Sequence, residues 1–595
     1  MSPGLQTKAF QNDWSVGEVY DVAPALISAA GASRMADVLL DEDGSPYRRG
    51  GTAYKSKEGL GAAGLRWGWD GYLLPGARTL VANESDFGVL ASDDESFVNV
   101  GGAGLAFPKQ SAVLQDLLYI GGGTLYGGSR KAAVYSTGTV TVTNGSKTVT
   151  GSGTTWNTLV DAGMLLHLGT ERIYVVASVD STTQITLRDA YQGGTGGGKS
   201  YTLNPVWTVG GSDPYETYDY VTVCSNRFVF ASGRKITFTE VNNPHTFTNS
   251  LGTTNEHTVP EGVQIVGLAT SGQTVLVFTT AGVWTLDGLA LDITDLNGNA
   301  QHRLQLLSSG IVLAGAAGIA GSGQRLVIPA GDGIYLMDGV SQPVRVSKPI
   351  DRLYLQRIAD GYRLGGANVY RGHYFLPIIT GLGKVPNLLV CRLDRPTRDR
   401  GQTLFPWSHF TGDGGEITTF FTRATSDPQQ PKLFGCQARE PSRLVDCSGY
   451  FDPRAAIKND ADGSTFNLDI ITRDYETGSG TINVVRAVKP RYELVDAAED
   501  EPELQVSYSD GSSQAEGFIL DESVLDEGEL GDESSVAFTP AEGAAGPSDG
   551  RTPARLRVNR KARHIRFHIT SSGPAARCTL RSLEMTIRPS GAIRR

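Results

Sequence analysis

Apolar residues along this chain fall in short runs separated by Gly, Asp and Asn, and seldom at the three-to-four-residue spacing of an amphipathic helix. "RFVFASGRKITFTEV" (227–241), "QTVLVFTTAGVWTLDG" (273–288) and "QRLVIPAGDGIYLMDG" (324–339) share one plan. Each is an apolar strand, a glycine turn and a second strand ending in a polar turn, the pattern of a hairpin. "DLLYIGGGTLYGGS" (116–129) repeats it in shorter form; "HYFLPII", "NLLVCRLD" and "TLFPWSHF" within 373–410, then "KLFGCQAREPSRLVDCSG" (432–449), continue it. Antiparallel units recurring at roughly 30–50 residues predict a β-propeller, of about six blades, with each sheet edge protected by its neighbours. One helix interrupts the series, in "SKPIDRLYLQRIAD" (347–360), with Ile350, Leu353, Tyr354 and Ile358 on one face and Pro349 and Asp351 at its start.

The rhythm changes in three places. Residues 137–204 open on "TGTVTVTNGSKTVTGSGTTWN" and continue through "GMLLHLG", "ERIYVVASVD" and "TTQITLRDAY", strands with alternation bounded by Gly-rich flanks. Hairpin units stand on both sides, so this stretch predicts a small β-domain inserted between propeller residues 61–136 and 205–450. After residue 450 the strands lengthen ("STFNLDIITRDY", "INVVRAVKPRYEL", "ELQVSYSDG"), which predicts a C-terminal β-sandwich over 451–595. Residues 1–60 remain as an N-terminal arm or platform segment. The expected fold class is all-β throughout.

Composition sharpens this picture. With 74 Gly in 595 residues and no collagen-like period, the chain needs many tight turns. A length of 595 residues exceeds one hydrophobic core and implies several domains. No apolar run approaches the length of a membrane helix, and the N-terminal sequence lacks the basic-then-apolar order of a signal peptide. Cys224, Cys391, Cys436, Cys447 and Cys578 form no CxxC pair and are expected as buried thiols. The net charge of −10 is unevenly spread: residues 496–549 hold sixteen Asp and Glu and no Lys or Arg, whereas 551–595 hold twelve Lys and Arg and one acid, Glu584. Without the acidic insert near 496–549 the body of the chain is mildly basic.

Candidate chemistry is sparse. "GGTGGGKS" (193–200) fits the phosphate-loop spacing through Gly193, Gly198, Lys199 and Ser200, but "YTLNPVWTV" follows and cannot start the helix such a loop requires, so a linker is expected. His564 and His568 in "HIRFH" alternate as on a strand, which holds their rings about 13 Å apart, too far for one metal. "DLNGN" (295–299) lacks the closing glutamate of a calcium loop. No nucleophile-elbow or zinc-helix motif occurs. No catalytic, cofactor-binding or metal-ligating residue is therefore assigned, and the chain is expected not to be an enzyme. In the basic tail, Arg555, Arg557 and Arg563 alternate with apolar residues, either as a solvated strand face or as a positive wall near DNA phosphates.

Taken in order, several segments resemble the tail nozzle or hub proteins of short-tailed bacteriophages. They are "SPYRRGGTAY" (45–54), "EGVQIVGLATSGQTVLVFTTAGVWTLDG" (261–288), "SSGIVLAGAAGIAGSGQRLVIPAGDGIYLMDGVSQPVRVSKPIDRLY" (308–354) and "RKARHIRFHITSSGPAARCTLRSLEMTIR" (560–588). The resemblance spans most of 45–595 outside the 137–204 domain and the acidic stretch, and rests on segment order more than on any one motif. It implies a structural virion protein, assembled in the host cytoplasm into a homohexameric ring of the tail. That ring would lie below the head-to-tail adaptor or portal ring, carry tail fibres or tailspikes, and pass genomic double-stranded DNA through its lumen, without a cofactor. Two other classes fit the same pattern: a minor tail or tip adhesion protein of a long-tailed phage that contacts host surface glycan, and a carbohydrate-binding or hydrolysing propeller.

Overall fold

The computed structural model describes residues 6–589 apart from single positions and short stretches. The longer omissions are 210–215, 249–254, 291–301, 380–386, 412–416, 424–430, 438–442, 452–467, 477–482, 496–502, 510–534, 539–555 and 573–576. For 6–10, 483–495, 503–509, 535–538, 556–562, 564, 571–572, 577–578 and 588–589 only the backbone is described. The protein is all-β, and its longest described helix is Asp351–Ala359.

Among the described residues, seven antiparallel units follow one another from residue 67 to 446: six are separate four-stranded sheets, and the sixth in order, Asn368–Tyr370, His373–Ile379, Asn387–Arg392 and Trp407–Phe410, belongs to a larger sheet. The first runs Trp67–Leu73, Gly76–Ala82, Phe87–Leu90, Phe97–Asn99, and the fourth runs Ile265–Ser271, Thr274–Thr279, Gly282–Asp287, Arg303–Ser308. Tight turns set the register. Ser225 and Asn226 both take positive φ between the paired strands Tyr220–Cys224 and Arg227–Ser232 of the third unit, the conformation whose twist matches that of a hairpin. The unit that the hairpin series does not include is the first; the second is split by the insert and the seventh is completed from the N-terminal end. Its strands Ile417–Arg423, Lys432–Gln437 and Leu444–Asp446 are joined by Ala53–Tyr54, with Val445 opposite Tyr54.

Burial links the units in sequence. Trp67, Leu80 and Val89 of the first pack on Leu118 and Tyr126 of the second; Val229 and Ile236 of the third pack on Val275 and Val277 of the fourth. Val327 and Ile334 of the fifth share a core with Tyr374 and Leu376 of the sixth, and helix Asp351–Ala359 adds Tyr354 to it. The series returns to its start: Phe421, Phe434 and Cys436 of the seventh unit are buried against Val81 of the first. The first strands of the units also meet through side chains, Arg423 with Asp70 at 3.7 Å and Thr222 with Thr270 at 2.8 Å. Gln110 reaches the backbone of Leu268, two units further on, as both donor and acceptor.

Two sheets, one of them continuous with that of the sixth unit, face each other over a separate core of Trp14, Met35, Val38, Ile470, Phe567, Ile569, Leu583 and Met585. One contains Gly31–Ala36, Asp469–Thr472, His564–Ser572, Glu503–Ser509 and Ser535–Phe538. The other contains Gln6–Gln11, Val38–Leu40, Pro46–Arg48, Asn483–Val495, Leu556–Ala562 and Arg577–Pro589. The expectation of a separate N-terminal arm over 1–60 is corrected here. Those residues supply strands to both sheets and the last strand of the seventh unit, because the C-terminal strands alone leave apolar faces and edges uncovered.

The insert leaves the second unit after Thr124–Tyr126 and returns as Val206–Thr208, with its ends joined by Tyr135 and Leu203. Its strands form a curled sheet in which Gly196–Lys199 pairs with Thr139–Val142 while Thr202–Asn204 pairs with Leu165–His167. Val140, Val149, Trp156, Val176, Ile185, Tyr201 and Leu203 make a core of its own. A second face is not free: Leu165, Ile173 and Val175 are buried against Tyr119, Phe228 and Phe230 of the second and third units. Gly163, at φ +90°, lies so near Gly128 that a Cβ would come within 2.6 Å of its carbonyl carbon. Replacing residues 137–202 by a short Gly/Ser bridge should therefore leave a folded protein that melts cooperatively at a lower temperature and binds a hydrophobic dye at the uncovered Phe228–Phe230 face. Calorimetry and dye fluorescence check this; loss of any cooperative transition would make the insert part of the main core.

Candidate functional site

The chemistry-bearing side chains of the described residues converge where the sixth unit meets the two-sheet module. The strand Trp407–Phe410 of that unit continues through the short strand Gly17–Glu18 into Gly31–Ala36, so a single mixed sheet crosses the boundary. Gly17 makes this possible. It has φ +75°, and a Cβ there would stand 2.6 Å from the backbone nitrogen of Trp407.

Beside this crossing, Arg49 and Asp37 form an ion pair at 2.7 Å whose side chains are 0% and 2% exposed. The guanidinium also donates to the carbonyls of Gly50 (3.1 Å) and Thr411 (3.2 Å) and lies 5.1 and 5.3 Å from the ring centroids of Phe410 and Tyr450. Asp37 accepts from the Thr411 amide at 3.0 Å and from the Thr411 hydroxyl. Thr411, Phe410 and Tyr450 come from stretches remote in sequence, so the pair ties residues 37–50 to the sixth and seventh units. A buried charge left alone costs several kcal/mol.

Next to it opens a cleft of about 440 Å³ lined by Glu18, Tyr20, Arg34, Leu353, Arg357 and His409, among others. His409 Nδ1 stands 2.7 Å from Glu18 Oε2, which also accepts from the Met35 amide at 3.2 Å. Burial alone would disfavour the charged ring; the Glu18 carboxylate and its hydrogen bond outweigh it and hold the His409 pKa above its ordinary value. Arg34 pairs with Asp469 at 3.0 Å, and His568 reaches the same carboxylate at 2.7 Å.

A second, more polar cavity of about 380 Å³ lies where the insert meets the third unit, lined by Arg172, Tyr174, Asp189, Asn243 and His245 among others. Burial, with Arg172 and Arg188 nearby, lowers the His245 pKa to about 3.

The sequence motifs fall elsewhere. Lys199 lies on a strand rather than in a linker, with its Nζ 2.9 Å from Glu171 and 2.8 Å from the Tyr191 hydroxyl, and no helix follows it. In "HIRFH", Ile565 and Phe567 are buried while Arg566 and His568 face outward, bound to Asp474 and Asp469. Cys224, Cys391, Cys436 and Cys447 are buried thiols, and burial pushes those of Cys391 and Cys436 up. "DLNGN", most of the acidic stretch and the side chains of Arg555, Arg557 and Arg563 lie outside the described residues. Sequence reasoning missed Glu18, Asp37, Arg49 and His409. Arg49 stands in "SPYRRGGTAY", where Arg48 is buried too, and nothing local marks Arg49 as the partner of Asp37.

No family model matches the chain, and no curated protein matches it. Among solved structures it is similar to a chain of the mitotic checkpoint complex at 10% identity and a TM-score of 0.30, covering 68% of this chain and 96% of that one. It is also similar to Hsv2 of Kluyveromyces lactis at 8% identity and a TM-score of 0.21, covering 58% and 98%. Likenesses at this level carry no argument about function.

The buried ion pair and the two buried histidines each make a stability prediction. Arg49→Met should lower stability by about 3–5 kcal/mol by stranding Asp37, and Arg49→Met with Asp37→Leu should recover much of it; denaturant unfolding of the three proteins checks this. The pH dependence has two limbs. The raised His409 contributes stability that is complete below its unfolded pKa, near 6.5, and is lost as pH rises through its folded value. The lowered His245 contributes stability above 6.5 that is lost as pH falls toward about 3. In melts across pH, His409→Gln should flatten the alkaline limb and His245→Gln the acid limb; unchanged limbs would remove these residues as the cause.

Proposed function

We propose that this chain is a structural protein of a bacteriophage tail, the nozzle or hub of a short-tailed virion. In this reading the seven units form a closed propeller and the two facing sheets a β-sandwich fused to it. The observation that carries the reading is that the two most distant segments of the resemblance, 45–54 and 560–588, pair in one sheet, Tyr47 opposite Thr579. The family-like order of segments therefore corresponds to one continuous framework. Closed, cross-packed sheets supply the stiff wall that a conduit needs.

Copies of the framework would assemble as a homohexameric ring under the head-to-tail adaptor and hold tail fibres or tailspikes. Such a ring would continue the channel for packaged DNA, retaining it and guiding its ejection. Ring closure costs the freedom of each subunit, which a preformed adaptor ring reduces, so the isolated chain is expected as a monomer at low concentration. Mixing with the adaptor ring should give six-fold rings by electron microscopy. Particles lacking this protein should have normal heads yet leak DNA or fail to infect. Full infectivity and DNA retention without it would refute the nozzle reading.

A further inference from the structure

We infer that the cleft between helix Asp351–Ala359 and the two-sheet module docks an acidic peptide segment of a separate protein chain. In this arrangement one carboxylate rests on Arg357 and an apolar side chain rests on a floor of Leu353, Ile378, Leu389 and Ile471.

The charges around the cleft select this chemistry. Arg34 is compensated by Asp469 at 3.0 Å and Arg566 by Asp474 at 2.7 Å. Glu18 is engaged by His409 at 2.7 Å. Arg357, in the last turn of the helix, has only a neutral partner among the described residues: its Nη1 is 3.2 Å from the Tyr362 hydroxyl, and the guanidinium lies 5.2 Å from that ring. One cation is thus left for one anion. A polyphosphate or a nucleic-acid backbone brings several charges and would meet the Glu18 carboxylate, whereas a single Asp or Glu matches. The apolar floor then asks for an aliphatic or aromatic neighbour, and about 440 Å³ is the size of a pocket that takes a few side chains.

The mouth is accessible from outside the chain. Tyr20 at its edge is 40% exposed and the Arg34 side chain 45% exposed. A peptide entering there would stack its apolar side chain under Tyr20 while its carboxylate takes the fork of Arg357. The inference does not depend on ring assembly, and it holds or fails apart from the nozzle reading.

The test uses a fluorescein-labelled peptide, GFILDESVLD, which has the sequence of residues 517–526 and combines acidic and apolar positions. Its anisotropy is followed as the full-length chain is added. The expected result is saturable binding that weakens with salt, falls about tenfold in Arg357→Ala and recovers in part in Arg357→Lys. Both variants should melt with the parent. A peptide with Asn and Gln in place of Asp and Glu should bind at least tenfold more weakly. Equal affinity in Arg357→Ala, or equal binding of the neutral peptide, overturns the inference. So does competition by short duplex DNA or pyrophosphate at the concentration of unlabelled peptide that competes. Binding seen only after deletion of residues 511–534 would assign the cleft to the chain's own acidic segment and overturn the separate-chain partner.

Discussion

The Asp37–Arg49 pair is the constraint on which the arrangement of the molecule depends. Both charges are removed from water, and an isolated one there is prohibitive, so the stretches that surround them must arrive together. Asp37 takes a left-handed conformation, which an aspartate tolerates better than most residues, and this turns the chain between Gly31–Ala36 and Val38–Leu40. The amide of Asp37 then bonds the His409 carbonyl at 2.8 Å, and the amide of Gly50 bonds the Tyr450 carbonyl at 3.1 Å. Residues 13–54 are fixed by these contacts as a strap that runs from the two-sheet module over the sixth unit and ends as a strand of the seventh. A substitution at this joint reaches two bodies at once.

The strap also gives mechanical sense to the mixed sheet. Gly17–Glu18 pairs in parallel with both Gly31–Ala32 and Trp407, so backbone hydrogen bonds and not side chains alone carry the boundary. Trp407 anchors the same spot by donating its indole N–H to the Val346 carbonyl at 2.9 Å, and Arg392 donates to the carbonyls of Leu40 and Asp41. The fused bodies are therefore expected to move as one.

The insert shows how a domain can have its own core and still be committed to its host. Its inner face closes on Trp156 and Tyr201, joined by a hydrogen bond of 2.9 Å, while Leu165 and Val175 point the other way into the second and third units. The salt bridge of Arg188 with Asp116 at 3.0 Å lies across the same seam. The buried, neutral His245 belongs there as well, and its titration is linked to that contact.

Period-two alternation, glycine turns and recurring hairpins were enough to establish an all-β chain, and they set residues 137–204 and those after 450 apart from the hairpin series. These are local properties: a strand with one apolar face and a tight turn identifies itself within ten residues. Helix Asp351–Ala359 was equally legible, since Pro349, Asp351 and the Ile350–Tyr354–Ile358 face sit within one short window. The final strand of the seventh unit was not legible, because Ala53–Tyr54 is a two-residue strand that exists only where Val445 and Asp446 offer an edge to it. The same holds for the site. Asp37 and Arg49 are twelve residues apart and Glu18 and His409 are 391 apart, and nothing local distinguishes them from other Asp, Arg, Glu and His residues. Their burial and their pairing come from chain crossings that only the tertiary structure creates.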